Sequence, residues 1–314
     1  MRRAALALFL ACAAPAAAQE AQPDAKPPTR APQAGEAAPD LAFGAFQRGY
    51  FVTALKEAMT RIERDPGDAA AMTLVGALYG QGLGMKRNPQ EAARWFRLAA
   101  DRGDRQAIFA LGLARLRGEG VAQDRAGALA LLEKAADMGH AGASYNLGVA
   151  ALEHDGVTSQ FAKAAEHFRR AADLGDSDAA YSLGLLHKSG KGVGKDERKA
   201  ADWIGRAASD NNLAAIVELA IMQFNGEGVE KNEAAAAKLF LKAAGRNNPI
   251  AQNRVARLLT VGRGLPRDPV EAMKWHLLAR SAGLQDHWLD GALAALSPQE
   301  KAQVEEAVRK YVGN

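Results

Sequence analysis

Between Asp68 and Gly283, apolar and small residues return at spacings of three and four, the pattern of helices that bury one stripe. Ala200, Trp203, Ile204, Ala207 and Ala208 follow the i, i+3, i+4, i+7, i+8 rule. A helix of about a dozen residues precedes each such stretch, as at Ala107 to Leu116. The two are joined by a Gly-x-Gly-Val turn, seen at Gly118-Glu119-Gly120-Val121, Gly190-Lys191-Gly192-Val193 and Gly226-Glu227-Gly228-Val229. Glycine there suits the left-handed backbone that closes a helix. Asp124, Asp196, Asn232 and Asp268 then stand where a cap for the second helix is needed. Gly103, Gly139, Gly175 and Asn211 end that helix.

The pattern is periodic. Cuts at Asp68, Asp104, His140, Asp176, Asn212 and Asn248 give six consecutive units of 36 residues without a gap. Their fourth positions are Ala71, Ala107, Ala143, Ala179, Ala215 and Ala251, and their eighth are Val75, Leu111, Leu147, Leu183, Leu219 and Val255. The ninth is small throughout, from Gly76, Gly112, Gly148 and Gly184 to Ala220 and Ala256. Such residues let helix axes approach closely, so that neighbouring hairpins stack in register; Gly148→Leu should overpack the contact by ~1–3 kcal/mol. Each unit is thus one helical hairpin, and the segment 68–283 divides into repeats at 68–103, 104–139, 140–175, 176–211, 212–247 and 248–283. Unit three departs from the pattern, with His154 for the first turn glycine and Gln160 for the capping aspartate.

The flanks complete the array. Segment 41–67 reads as a capping hairpin with Gly49-Tyr50 at its turn and Asp65-Pro66 at its end. Segment 284–314 reads as two C-terminal capping helices, one near His287 to Leu296. The other starts with Ser297 as N-cap, Pro298 at the first helical position and Glu300 three residues past the cap. The last is rich in Lys, Glu and Arg, as a solvent-facing end requires. Segment 19–40 carries Pro23, Pro27, Pro28, Pro32 and Pro39 and no large apolar side chain, which reads as a disordered linker.

Residues 1–18 read as a signal peptide: Arg2-Arg3, an apolar run from Ala4 to Ala14, then Ala16-Ala17-Ala18 before a cut at Gln19. The run is too short to span a bilayer core of roughly 30 Å. Periplasmic or secreted localisation follows, with no integral membrane span. Lipidation at Cys12 is the alternative, weakened by Phe9 standing where a lipoprotein signal usually carries Leu. Cys12 is the single cysteine, so cleavage leaves a chain without disulfides. Cleavage also removes Arg2 and Arg3, lowering the net charge from +4 to +2, too balanced for nucleic-acid binding.

The pattern Ala-x-x-x-Leu-Gly … Gly-x-Gly-Val-x-x-Asp … Ala … Trp … Ala-Ala-x-x-Gly resembles the Sel1-like repeat, a relative of the tetratricopeptide repeat, across 68–283. The resemblance implies an all-α fold, a right-handed α-solenoid superhelix of Sel1/TPR-like helical hairpins. It also implies a protein–protein interaction scaffold or regulator, whose partner is a protein or peptide, such as an envelope complex or a sensor protein. A cell-wall or β-lactam-acting enzyme is the alternative, but the Sel1-like proteins with that association are disulfide-stapled.

Catalytic signatures are missing: the chain has no Ser-x-x-Lys, Gly-x-Ser-x-Gly or His-Glu-x-x-His. Ser189 to Asp196 imitates a phosphate-binding loop but lacks its first glycine and its final Ser or Thr. His140, His154, His167, His187, His276 and His287 fall in different columns, so neither a metal nor another cofactor is expected. Trp95, Trp203 and Trp275 share a column read as core.

With the register of tetratricopeptide-like solenoids, the concave face takes Phe109, Tyr145, Tyr181 and Val217 from one column of the first helices. It takes Leu113, Val149, Leu185 and Ile221 from another. Lys188, Arg117 and Arg257 lie at the edge. The row reads as a groove for an extended or helical peptide, or as packing between repeats; the sequence leaves both open.

Overall fold

The structure, a computed structural model, describes residues 40–153 and 158–313. The segments read as signal peptide and linker lie outside the described residues, Asp40 apart, as does the turn of the third repeat that holds His154. The described residues form an all-helical chain of hairpins. They divide into two compact units, one up to Ala128 and one from Leu129.

The N-terminal unit contains α1 (Leu41–Gln47), α2 (Phe51–Arg64), α3 (Ala69–Gln81), α4 (Pro89–Asp101) and α5 (Arg105–Arg117), and α6 (Arg125–Asp137) begins in it. In the C-terminal unit follow α7 (Ala141–Leu152), α8 (Thr158–Asp173), α9 (Ser177–Ser189) and α10 (Glu197–Ser209). These lead to α11 (Leu213–Asn225), α12 (Glu233–Ala244), α13 (Pro249–Val261), α14 (Pro269–Ser281), α15 (His287–Ala294) and α16 (Pro298–Val312).

The unit boundaries read from the sequence coincide with helix starts. The first residue of each repeat is the N-cap of its first helix, and its side chain accepts a hydrogen bond from the N–H of the alanine three residues on. That geometry satisfies one of the open N–H groups of the first turn. In the third repeat His140 takes the role through Nδ1, 3.1 Å from the Ala143 nitrogen. The second helices are capped likewise by Asn88, Asp124, Asp196, Asn232 and Asp268. Unit three differs: α8 starts at Thr158, so Gln160 lies inside the helix instead of capping it.

The first turn glycine ends the first helix in a left-handed conformation, with φ +69 at Gly190 and +80 at Gly226. Asn211 and Asn247 hold φ 61 and 58 where the other repeats end on glycine, which asparagine tolerates better than other side chains.

The small ninth position does something other than the sequence suggested. A Cβ on Gly76, Gly148 or Gly184 would stand 2.6 Å from Phe96, Phe168 or Ile204 respectively. Those are side chains of the second helix of the same repeat. The glycine therefore closes the hairpin on itself, and register between repeats comes from the second turn glycine. Gly228 and Gly264 each rest on the main chain of the first residue of the preceding repeat's second helix, Glu197 and Glu233, and Gly192 rests on the main chain of Phe161 and Ala162, inside α8. Gly120 rests on Pro89 in the same way, within the N-terminal unit.

Helices flank the repeats on both sides. α1 and α2 turn at Gly49, φ 81. α16 starts with a capping box of Ser297 and Glu300 and packs on α14, with Tyr311 edge-on to Trp275 at 5.3 Å. Val304 is its one buried residue.

Candidate functional site

In the first helices the fifth, eighth and ninth positions turn inward, as Ser144, Leu147 and Gly148 do in α7 and Ala180, Leu183 and Gly184 in α9; Leu219, eighth in α11, is half-buried. The sixth and tenth lie beside that stripe, one helical turn apart. Tyr145, Val149, Tyr181, Leu185 and Ile221 are accordingly half-buried, each leaning on the core while part of its surface stays open. Phe109 and Leu113 are half-buried on α5 of the N-terminal unit. Val217 is the exception and corrects the sequence reading: it is buried, 6% exposed, within the core of its unit. A short β-branched side chain does not reach past its neighbours as a tyrosine in the same column does.

Tyr145 stacks obliquely on Phe168, ring centroids 5.7 Å apart. Burial pushes its hydroxyl pKa up, reinforced by Asp178 and Asp176 at the head of α9. Burial, then the Glu218 carboxylate, does the same for Tyr181, against Lys188. The sixth column thus faces the start of the next repeat's first helix. Its polar ends make this plain. Thr73 Oγ1 lies 3.0 Å from the cap Asp104, and Asn253 Nδ2 donates to Asp286, the cap of α15, at 2.7 Å.

The three edge cations are all engaged. Lys188 reaches Glu218 at 2.7 Å and Glu227 at 2.9 Å. Burial lowers its pKa, but these two hydrogen bonds prevail and hold it above the usual lysine value. Arg117 lies 4.0 Å from Glu119. Arg257 grips Asp286 with Nε at 2.6 Å and Nη2 at 2.9 Å. Burial disfavours the Asp286 carboxylate, yet hydrogen bonds from Arg257, Asn253 and the Leu289 N–H outweigh it and hold the pKa at about 2.

The other singled-out residues take structural places. Gly190 and Gly192 of the phosphate-loop lookalike are the ordinary inter-helix turn, and Asp196 caps α10. A polar cleft of about 670 Å³ beside it is lined by charges of both signs, from Lys195 and Arg198 to Glu197 and Glu230. Trp275 is buried at 5% exposure, but Trp95 and Trp203 are only half-buried, and Arg206 lies 4.4 Å above the Trp203 ring. The next column is buried more deeply, with Leu132, Phe168, Ile204, Phe240 and His276 in the core and Phe96 half-buried. His276 bonds Asp290 through Nε2 at 2.8 Å, while both ring nitrogens of His187 are buried without a partner. Among the described residues no three His, Cys, Asp or Glu side chains converge as a metal set. No helix among them is long and apolar enough to cross a membrane.

One set of functional contacts escaped the sequence reading. Arg170 donates to the Ala136 carbonyl and to Asp137 at 3.0 Å, and Arg206 to the Ala172 carbonyl at 3.5 Å. Arg246 donates to the Asn211 carbonyl at 2.9 Å. Arg170 and Arg206, each on a second helix, thus cover the open carbonyl end of the second helix before it, where the helix dipole favours positive charge. The signal was present in the column Lys134, Arg170, Arg206 and Lys242.

Helical hairpins capped, turned and stapled alike define a helical repeat protein of the kind that offers a row of side chains rather than a single pocket. The chain belongs to the Sel1 repeat family, which matches residues 69–104, 105–140, 141–176, 177–212, 213–248 and 249–284. Those bounds run one residue behind the capped units. A Sel1 repeat protein from Oxalobacter formigenes is similar over 79% of this chain and 100% of its own, at 27% identity and TM-score 0.63. The crystal structure of c5321, described as a protective antigen of uropathogenic Escherichia coli with an SLR fold, shares 24% identity and TM-score 0.51. It is covered over 64% of its length, with 84% of this chain matched, and shows the same fold. No curated protein matches the chain.

Proposed function

We propose that the protein is a non-catalytic, exported interaction scaffold or regulator that binds a partner protein or peptide on the first-helix faces of its repeats. The reading is carried by the half-open row Tyr145, Val149, Tyr181, Leu185 and Ile221 on three successive first helices of one compact unit. Aromatic and aliphatic anchors in such a row supply most of the affinity for an extended or helical segment. Membership of a repeat family supports it, since stacked hairpins present surface in regular steps. The basic-then-apolar N-terminus supports action in the periplasm or outside the cell.

The test is recovery of a crosslinked partner from envelope extract by the wild type and by the double variant Tyr145→Ala, Tyr181→Ala. Loss of a specific partner with unchanged helical circular dichroism is expected. Equal recovery would remove these faces from the binding surface.

A further inference from the structure

The row changes character in the last repeat. Where α9 and α11 carry Leu185 and Ile221, α13 carries Arg257, and one column over it carries Arg254. Ile250, Arg254, Arg257 and Val261 are spaced four, three and four residues apart, which puts them on one face of α13. All four are exposed, Ile250 at 48% and Val261 at 52%. Trp288 of α15, 48% exposed, extends the strip, with the Arg257 guanidinium 5.3 Å from its ring centre. Exposed apolar side chains gathered around guanidinium groups and an indole are the composition of a docking surface rather than of a solvated helix face.

The electrostatics choose the partner. Arg254 makes no ion pair with any described residue. Arg257 is held by Asp286, which Asn253 in turn fixes by a hydrogen bond of 2.7 Å. Asp286 is 7% exposed and its oxygens are already engaged, so an approaching anion meets the guanidiniums and not the carboxylate. Farther up the row the exposed Asp178 carries the opposite sign.

We infer that the strip Ile250, Arg254, Arg257, Val261 and Trp288 receives the acidic end of a partner polypeptide, an apolar segment flanked by Asp or Glu. This rests on the reading that the first helices carry the docking face. The apolar side chains of the segment lie along Ile250, Val261 and Trp288, and its carboxylates pair with Arg254 first, which is free, and with the outer edge of Arg257.

Two labelled peptides of identical Leu and Phe positions test it against the full chain by fluorescence polarisation. One carries Glu and Asp at its C-terminal polar positions, the other Gln and Asn. The acidic peptide should bind about tenfold more tightly at low salt, and Arg254→Gln should remove most of that preference. Ile250→Asp should weaken both peptides. The Tyr145→Ala, Tyr181→Ala pair should weaken both equally and leave their ratio intact; if it changes neither, the docking row fails while the strip stands. Equal affinities, no binding, or a preference that survives Arg254→Gln would each overturn the inference. So would Arg254-dependent sedimentation with phosphatidylglycerol vesicles that the acidic peptide does not compete away, which assigns the strip to a membrane. A dimer abolished by Ile250→Asp would assign it to a second copy.

Discussion

Gly228 lies so close to Glu197 that a Cβ on the glycine would overlap the glutamate's carbonyl oxygen. The partner atom is main chain, at the first position of a helix, and has nowhere to move. The glycine also sits at φ +69, where a side chain is strained in any case.

Gly228→Ala should therefore cost far more than the backbone term alone, about 3 kcal/mol or above. Gly283→Ala is the control: its φ is +90 with nothing within 4 Å of the built Cβ, so about 1 kcal/mol is expected. Urea unfolding of both variants decides. Similar losses would mean that the turn does not seat on the helix before it.

Gly148→Leu should overpack by about 1–3 kcal/mol, now against Phe168 at 2.6 Å within its own hairpin. Adding Phe168→Leu should restore part of the loss. A double-mutant cycle with no coupling would place the contact elsewhere.

His187→Leu should stabilise the protein by about 1 kcal/mol. Both ring nitrogens are buried without a partner, so an apolar side chain relieves a polar group left unpaired. Leu259 fills the same column in the last repeat, which shows that the shape is accepted there. A lower urea midpoint for the variant would mean the imidazole has partners of its own.

The Asp286 contact carries a pH signature. The folded carboxylate titrates at about 2, below the unfolded value of roughly 3.9. Its contribution is complete above pH 4 or so and is lost as pH falls towards 2. The stability gap between wild type and Asp286→Asn should be widest near neutrality and close across that window. A gap independent of pH would show that Asp286 acts as a neutral cap alone.

The repeat was legible because its caps and turns are chemical requirements of single helices. Asp196, Asn232 and Asp268 stand where a second helix needs an acceptor, and each is its cap. Contacts between repeats were not legible from one unit. Nothing in Gly-x-Gly-Val says that the second glycine needs room for the helix behind it, nor that Arg206 reaches back to Ala172. The proposed row was readable as two columns, but burial within a column depends on side-chain length, so Val217 disappears where Tyr181 stays half open. Arg257 read as an edge cation; its grip on Asp286 depends on a capping helix whose course no repeat pattern foretells.

Within each unit, the seating of the described turns on the helix before them gives the repeats a direction. Gly84 of the first repeat already leans on Phe51 and Val52, so the opening hairpin lays the floor for the repeats of its own unit. Within a unit, trimming from the carboxyl end leaves every remaining described turn with its support, whereas trimming from the amino end strands one. A polypeptide that leaves the ribosome amino end first meets each seat after it has been built.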